Sequence, residues 1–329
     1  KGVIHCHGAL IRHLDNLNEI RRYTSDEVLF SNSPFFWIGG LAYSLLGTLV
    51  AGGTLVCSNA QRASAVLDLL ERERPTLVNG FAQSVAHLAE DPSFARRDLS
   101  SIRRGNLYPI MPPEVRPASP DLRHQMLGMT EAGSVCLVSD DESDQPAQRR
   151  GSFGRPAPGF EAAIVDPDTG RACGAHEPGE LRLRGPFLME GYLGRERHEV
   201  FDADGWYRTG DFVSTDDDGF VHFHGRRGDL IKTSGANVSP REVEAAILDA
   251  TGLQSHVVGL PDAARGQIVA AALRLPPERA IDVEDVRARL AARLSAGLRP
   301  RWLAIASASV GRPAVSAAAP VAPAALALI

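Results

Sequence analysis

Lysine is nearly absent from this sequence: of 35 cationic side chains only Lys1 and Lys232 are lysines, and the others are arginines. Any lysine-dependent chemistry therefore has just two candidates. Cysteine is also scarce. Cys6, Cys57, Cys136 and Cys173 stand far apart with no CxxC pair, which excludes a disulfide framework and a thiolate zinc site. Isolated thiols fit a reducing compartment, so the expected location is the cytoplasm. A basic stripe is missing too. The net charge is −5 with the two signs interspersed, and no nucleic-acid partner is expected. The first residues have no signal-peptide architecture.

Charge of either sign is absent from Val28 to Gln61. The apolar part, Trp37 to Cys57, is long enough to cross a bilayer. It is interrupted, however, by Gly39, Gly40, Gly47, Gly52 and Gly53, with Pro34 upstream. A buried helix, a glycine stop and a buried strand at Leu55–Cys57 account for it better than a membrane span.

The residues that are present describe a globular protein: 44% hydrophobic and 23% charged over 329 residues, more than one ordinary core accommodates. Residues 1–100 alternate strands and helices, as α/β layers do. Ala63 to Glu73 has helical spacing, Thr76 to Val78 reads as a short buried strand, and Ser84 to Ala89 as a helix. From about Gly151 the texture becomes β-rich. Glu161–Val165 and the strict alternation of Gly179–Gly185 predict strands, and Asp204-Gly205 and Asp218-Gly219 predict hairpin turns. Past Gly225 a small α+β region is expected, with helices at Pro240–Asp249 and Val283–Leu294 and strands at Ser255–Leu260 and Ile268–Leu275. The boundaries expected are 1–224 (β-rich from about 151), 225–306, and an Ala/Pro-rich tail, 307–329, expected to be disordered.

Short motifs fall along this framework in a fixed order. Gln125-Met-Leu-Gly-Met-Thr-Glu131 contains G-x-T-E, and Trp206-Tyr-Arg-Thr-Gly-Asp211 contains Y-x-T-G-D. Gly225-Arg-Arg-Gly-Asp-Leu-Ile-Lys232 continues into Thr-Ser-Gly-Ala-Asn-Val-Ser-Pro-Arg-Glu-Val-Glu244. Lys1-Gly2-Val3 with His7-Gly8, Pro34–Leu41 (PFFWIGGL), Gly179–Tyr192 (GELRLRGPFLMEGY) and Val257–Asp262 (VVGLPD) complete the set. Each alone is weak; all seven in order over residues 1–275 are not. The chain resembles the adenylate-forming superfamily of acyl-CoA synthetases, adenylation domains and luciferases, and within it the fatty-acid-CoA ligase branch.

That resemblance implies a fold and a chemistry. The fold is a partial large α/β N-terminal domain, with αβ layers and a β-rich subdomain, hinged to a small α+β C-terminal domain. The reaction is ATP-dependent activation of a carboxylic acid, expected to be a fatty acid, to an acyl-adenylate and then to acyl-CoA, with Mg²⁺ and with CoA as the acceptor. By resemblance Lys1, Gly128, Met129, Thr130, Asp211 and Arg226 bind nucleotide, with Thr130 on phosphate and Asp211 on the ribose hydroxyls. Glu131 ligates Mg²⁺, as a hard cation prefers carboxylate oxygen, and Thr130 and Glu131 form the catalytic pair. Trp37 and Gly39 border the acyl pocket, Lys232 and Gly235 the CoA tunnel, and Gly228 the hinge. The simpler readings are a helix start at Thr130-Glu131, a turn at Thr209-Gly-Asp211, turns rather than calcium loops at Asp202–Gly205 and Asp216–Gly219, and surface or packing roles rather than a metal pair for His5 and His7.

The sequence also departs from the family pattern. Only Lys1-Gly2 remains of the S-[ST]-G-[ST]-T-G-x-P-K-G phosphate loop, and no lysine follows Lys232 where relatives carry P-x-x-x-x-G-K. The expectation is a chain truncated at both ends and inactive by itself. Leu127 stands where an aromatic ring often stacks on adenine, a loss of about 1 kcal/mol. Two rival readings share the motifs: a catalytically dead fragment that binds nucleotide weakly, and an adenylation domain that loads a carrier protein.

Overall fold

The computed structural model describes residues 2–233, 236–276, 281–294, 299–307 and 316–317. Lys1 and Gly235 lie outside the described residues, as does most of the Ala/Pro-rich tail. The chain forms two compact units, Lys1–Thr209 with Ser214–Phe223 and Gly210–Val213 with His224–Ile329.

The first unit opens with β1 (Val3–Ile4) and α1 (His7–Arg21) and continues into β2 (Val28–Ser31). A π-helix, Gly39–Leu46, runs into α2 (Gly47–Ala51), β3 (Thr54–Val56), α3 (Ala63–Glu73), β4 (Leu77–Asn79), α4 (Ala86–Ala89) and β5 (Arg104–Gly105). The four strands β2 to β5 form a parallel sheet in the order β3-β2-β4-β5. Alternation sends Phe30 and Val78 to a core with Val66, Leu67 and Leu70 of α3. It sends Leu29 and Leu77 to the other face, with Tyr23. A parallel sheet buried on both faces is the normal consequence of crossover helices.

The charge-free stretch folds as helix, glycine stop and strand: Gly52 takes a left-handed φ of 72° at the end of α2, and β3 follows. What the sequence did not announce is that the first eight helical residues form a π-helix rather than an α-helix. Gly40 has a local reason to be there, since a Cβ on it would lie 2.1 Å from the Pro34 carbonyl oxygen. Ser44 Oγ donates to the Gly39 carbonyl at 3.1 Å and sits 2.8 Å from Ser31 Oγ. The expected strand at Thr76–Val78 is shifted one residue on, and Ala82–Val85 ahead of α4 is a 3₁₀ turn.

Next come β6 (Leu127–Met129), β7 (Ser134–Val138) and β8 (Arg155–Pro156), antiparallel in that order. Then β9 (Glu161–Val165), β10 (Gly179–Arg184), β11 (Gly191–Tyr192), β12 (Tyr207–Thr215) and β13 (Val221–Arg226) follow. The sheet order is β13-β12-β10-β9, and β11 pairs instead with β1. In β10, Leu181 and Leu183 are fully buried, while Arg184 pairs with Glu161 across the strands and lies over the Trp206 ring. Residues 210–213 of β12 and 224–226 of β13 belong to the second unit.

The second unit adds β14 (Ile231–Thr233), β15 (Ala236–Val238), α5 (Pro240–Thr251), β16 (Ser255–Asp262), β17 (Gly266–Leu275), α6 (Val283–Ala291), β18 (Trp302–Ser307) and β19 (Ser316–Ala317). The strand order is β15-β14-β17-β18-β19, with β16 also on β17. Helix α5 starts where Ser239 Oγ accepts the Glu242 N–H, with Pro240 in its first turn, and ends at Gly252, φ 70°. These are ordinary start and stop signals. Val243 and Ile247 of α5 and Val286 and Leu290 of α6 share one core with Val257 and Leu273. Helix α6 ends at Ala291, three residues short of the expected Leu294.

Candidate active site

The Gly128–Glu131 motif sits on a tight β6–β7 turn in the first unit. A Cβ on Gly128 would lie 2.9 Å from the Ser134 carbonyl oxygen, so the close approach of the two strands requires glycine. Thr130–Ala132 form one 3₁₀ turn, closed by Gly133 at φ 71°. Thr130 does not act as the cap of a helix here; Met129 holds the cap position without a side-chain bond.

Three distant groups fix this turn. Strand β1 pairs Val3 with Tyr192 and Ile4 with Gly191 of β11, which delivers both His5 and Tyr192 to it. His5 Nε2 lies 2.6 Å from the Thr130 carbonyl oxygen, and the Met189 N–H donates to the Glu131 carbonyl at 2.8 Å. Tyr192 donates its hydroxyl to Glu131 Oε1 at 2.6 Å and stands 3.0 Å from the Tyr207 hydroxyl. Burial first, and then the bonds to Glu131 and Tyr207, push the Tyr192 phenol up from its ordinary range. It therefore stays a protonated donor at neutral pH. Thr130 itself is exposed.

The donor set fits Mg²⁺ carried by a nucleotide. Magnesium typically takes one or two carboxylates, with phosphate oxygens and waters supplying the rest, and Glu131 offers one held carboxylate. Among the described residues no group of three or more His, Cys, Asp and Glu side chains forms a self-contained cage. Asp202 and Asp216 are occupied with their own turns: Asp202 Oδ1 accepts from the N–H groups of Asp204 and Trp206, and Asp216 Oδ1 from those of Asp218 and Phe220.

In the second unit, Asp211 and Arg226 come together. The Asp211 side chain is 1% exposed, and its Oδ1 lies 2.7 Å from Arg226 Nε. The Arg227 N–H donates to the Gly210 carbonyl at 2.8 Å, and Gly210 and Gly225 take φ of 75° and 138°. At Gly228 a Cβ would meet open space and φ lies outside the left-handed region, so nothing in this conformation demands glycine there. Lys232 is exposed on β14, its N–H bonded to Gln267 Oε1 at 2.7 Å.

Trp37 is 52% exposed and sits edge-on to Phe81, 5.4 Å away, and to Phe36, 5.8 Å away. Two asparagine amides hold the Phe81 turn. Asn32 accepts from the Phe81 N–H and donates to its carbonyl, while Asn106 bonds the N–H and carbonyl of Gly80. A cleft of about 100 Å³ lies on the Leu29–Leu77 face, lined also by Tyr43, Asn79, Asn106 and Met126. Tyr43 donates its hydroxyl to Met126 Sδ at 3.2 Å, under the Arg21 guanidinium 3.8 Å from its ring. Neither Trp37 nor Gly39 lines this cleft. A Cβ on Gly39 would touch nothing within 4 Å.

Sequence reading did not place Tyr192 and Tyr207 beside Glu131, and read His5 as a surface or packing residue. The two tyrosines lie inside recognised motifs, but the contact of Tyr192 with Glu131, and of Tyr207 with Tyr192, is not written in them.

Residues 1–193 match the family described as AMP-binding enzyme. A mitochondrial medium-chain acyl-CoA ligase of Mus musculus is 31% identical over 291 residues, covering 85% of this chain and 47% of the relative. A feruloyl-CoA synthase of Amycolatopsis is 32% identical over 307 residues, covering 90% and 61%. Among solved structures, ATP-bound MatB from Rhodopseudomonas palustris superposes with a TM-score of 0.79 at 26% identity, covering 93% of this chain and 61% of that one. The chain thus spans about half to three fifths of the length of the proteins it matches. No helix among the described residues is long and apolar enough to cross a membrane. With a matching domain over more than half its length, the chain belongs to the family of AMP-binding enzymes.

Proposed function

We propose that the protein containing this chain activates a carboxylic acid with ATP, releases pyrophosphate, and passes the acyl group from AMP to CoA. The observation that carries the reading is the Thr130–Glu131 turn, whose backbone and carboxylate are fixed by His5, Met189 and Tyr192. Phosphoryl-type transfer leaves a protein mainly positioning and charge stabilisation to supply, and that turn is built for positioning.

In this reading Thr130 presents its exposed hydroxyl to phosphate and Glu131 holds Mg²⁺, which when bound neutralises charge building on the leaving pyrophosphate. Gly128 and Met129 set the strand against which the nucleotide lies. Asp211 accepts the ribose hydroxyls in competition with Arg226, its ion-pair partner here. Residues 1–224 form the large domain and 225–306 the small one, with the hinge at Gly228. Lys1 borders the phosphates, and Lys232 and Gly235 the CoA tunnel. Trp37, with Gly39 beside it, faces the acyl group, and an apolar fatty acid suits the Trp37–Phe36–Phe81 surface. For the 329 residues by themselves we propose weak nucleotide binding through Asp211 and Arg226 without turnover, because no lysine follows Lys232.

ATP–pyrophosphate exchange on the longer protein, with fatty, aromatic and dicarboxylic acids, tests the assignment. Exchange that depends on a fatty acid is the expected result. Absence of exchange with every acid rejects the activity, and a product on a carrier protein but not on CoA rejects the acceptor.

A further inference from the structure

We propose that Tyr192, backed by Tyr207, is a positioning residue that orients the Glu131 carboxylate for a divalent cation; this rests on the reading of Glu131 as the metal-holding carboxylate. Tyr192 spends its proton on Glu131 Oε1 at 2.6 Å, so the Tyr207 hydroxyl, 3.0 Å away, must donate to the Tyr192 oxygen. The result is a directional relay from Tyr207 through Tyr192 to the carboxylate. Glu131 Oε2 is left without a protein partner among the described residues.

Packing does not explain the two hydroxyls. Tyr192 and Tyr207 are 6% and 7% exposed, and phenylalanine would fill the same space. A buried hydroxyl is unfavourable unless it is hydrogen-bonded, so a pair of them ending on one carboxylate marks that carboxylate as something to be held. The rest of the turn is held likewise. Strand β1 registers Val3 against Tyr192, which fixes the phenol, while His5 from the same segment takes the Thr130 carbonyl. Partners of this kind commonly change metal affinity by roughly ten- to a hundredfold when removed.

The test titrates Mn²⁺ into the protein in the presence of ATP, with free ion read by electron paramagnetic resonance. It compares wild type with Glu131→Gln, Tyr192→Phe, Tyr207→Phe and the double Tyr192→Phe/Tyr207→Phe variant. The expected result is loss of the site in Glu131→Gln and at least about tenfold weaker binding in Tyr192→Phe, with a smaller loss in Tyr207→Phe. The double variant removes both hydroxyls, and its Mn²⁺ binding stays weak whatever its melting temperature. Recovery of stability and affinity together would make the tyrosines merely structural. Wild-type affinity in Tyr192→Phe, with Glu131→Gln deficient, overturns the positioning role and leaves the metal reading standing. Equal behaviour of wild type and Glu131→Gln, including no binding by either, removes the metal reading and the proposal with it.

Discussion

His13 is a histidine held neutral inside a core. It is 1% exposed, stacked on Phe187 with ring centroids 5.2 Å apart and edge-on to Phe160 at 5.1 Å. Burial, reinforced by His5, pushes its pKa down to about 4, although the nearby Val135 backbone opposes the shift. A folded pKa below the unfolded one means that the unfolded chain binds the extra proton. Stability is therefore complete above about pH 6.5 and falls as the pH drops toward 4. Between pH 6.5 and 5 the site alone should cost about 1.5 kcal/mol. Urea unfolding across that window should show this slope in wild type and not in His13→Leu. An unchanged slope in the variant would assign the acid sensitivity elsewhere. At this scale the sequence shows which residue types matter but not their company. The proposed site residues Thr130 and Glu131 were named from G-x-T-E, whereas the approach of His5 and Tyr192 depends on the β1–β11 ladder. Nothing in two separated dipeptides encodes that pairing.

The π-helix is the element least legible in the sequence. Eight mostly apolar residues, GGLAYSLL, give no periodicity that separates a wide turn from an α-helical one. Its two leading glycines look alike on paper and differ in space. At Gly40 a Cβ would lie 2.1 Å from the Pro34 carbonyl oxygen and 2.7 Å from that of Ser33, while at Gly39 it would touch nothing within 4 Å. Gly40→Ala should push the turn off the Ser33–Pro34 segment and destabilise by about 1–3 kcal/mol, as overpacking does. Gly39→Ala should be neutral or stabilise by up to about 1 kcal/mol through lost unfolded-state freedom. Thermal melts of the two variants decide it, and equal shifts would remove the distinction. Elements with clean periodicity were far easier: α3 runs over Ala63–Glu73, as its apolar spacing predicts, because buried Val66, Leu67 and Leu70 define its face and Pro75 follows its end.

Over the whole molecule, two compact units each enclose their own buried apolar set. A single unfolding free energy is then not the natural description. Ile247, 0% exposed in the core shared by α5 and α6, is a probe of the second unit. Ile247→Ala should lower its stability by about 2–5 kcal/mol. Hydrogen exchange should show that loss across β16 and β17 and spare β2 and β4; a uniform loss in both units would mean that they unfold as one. The α/β and α+β textures were visible in the sequence because each region carries its own periodicity. The tightness of the turn around Glu131 was not, since it depends on contacts across the first unit. The poverty in lysine has a practical side. Between residues 2 and 329 the only side-chain amine is that of Lys232, exposed on β14. An amine-directed fluorophore thus attaches at one internal address, without a cysteine being removed or a tag being added.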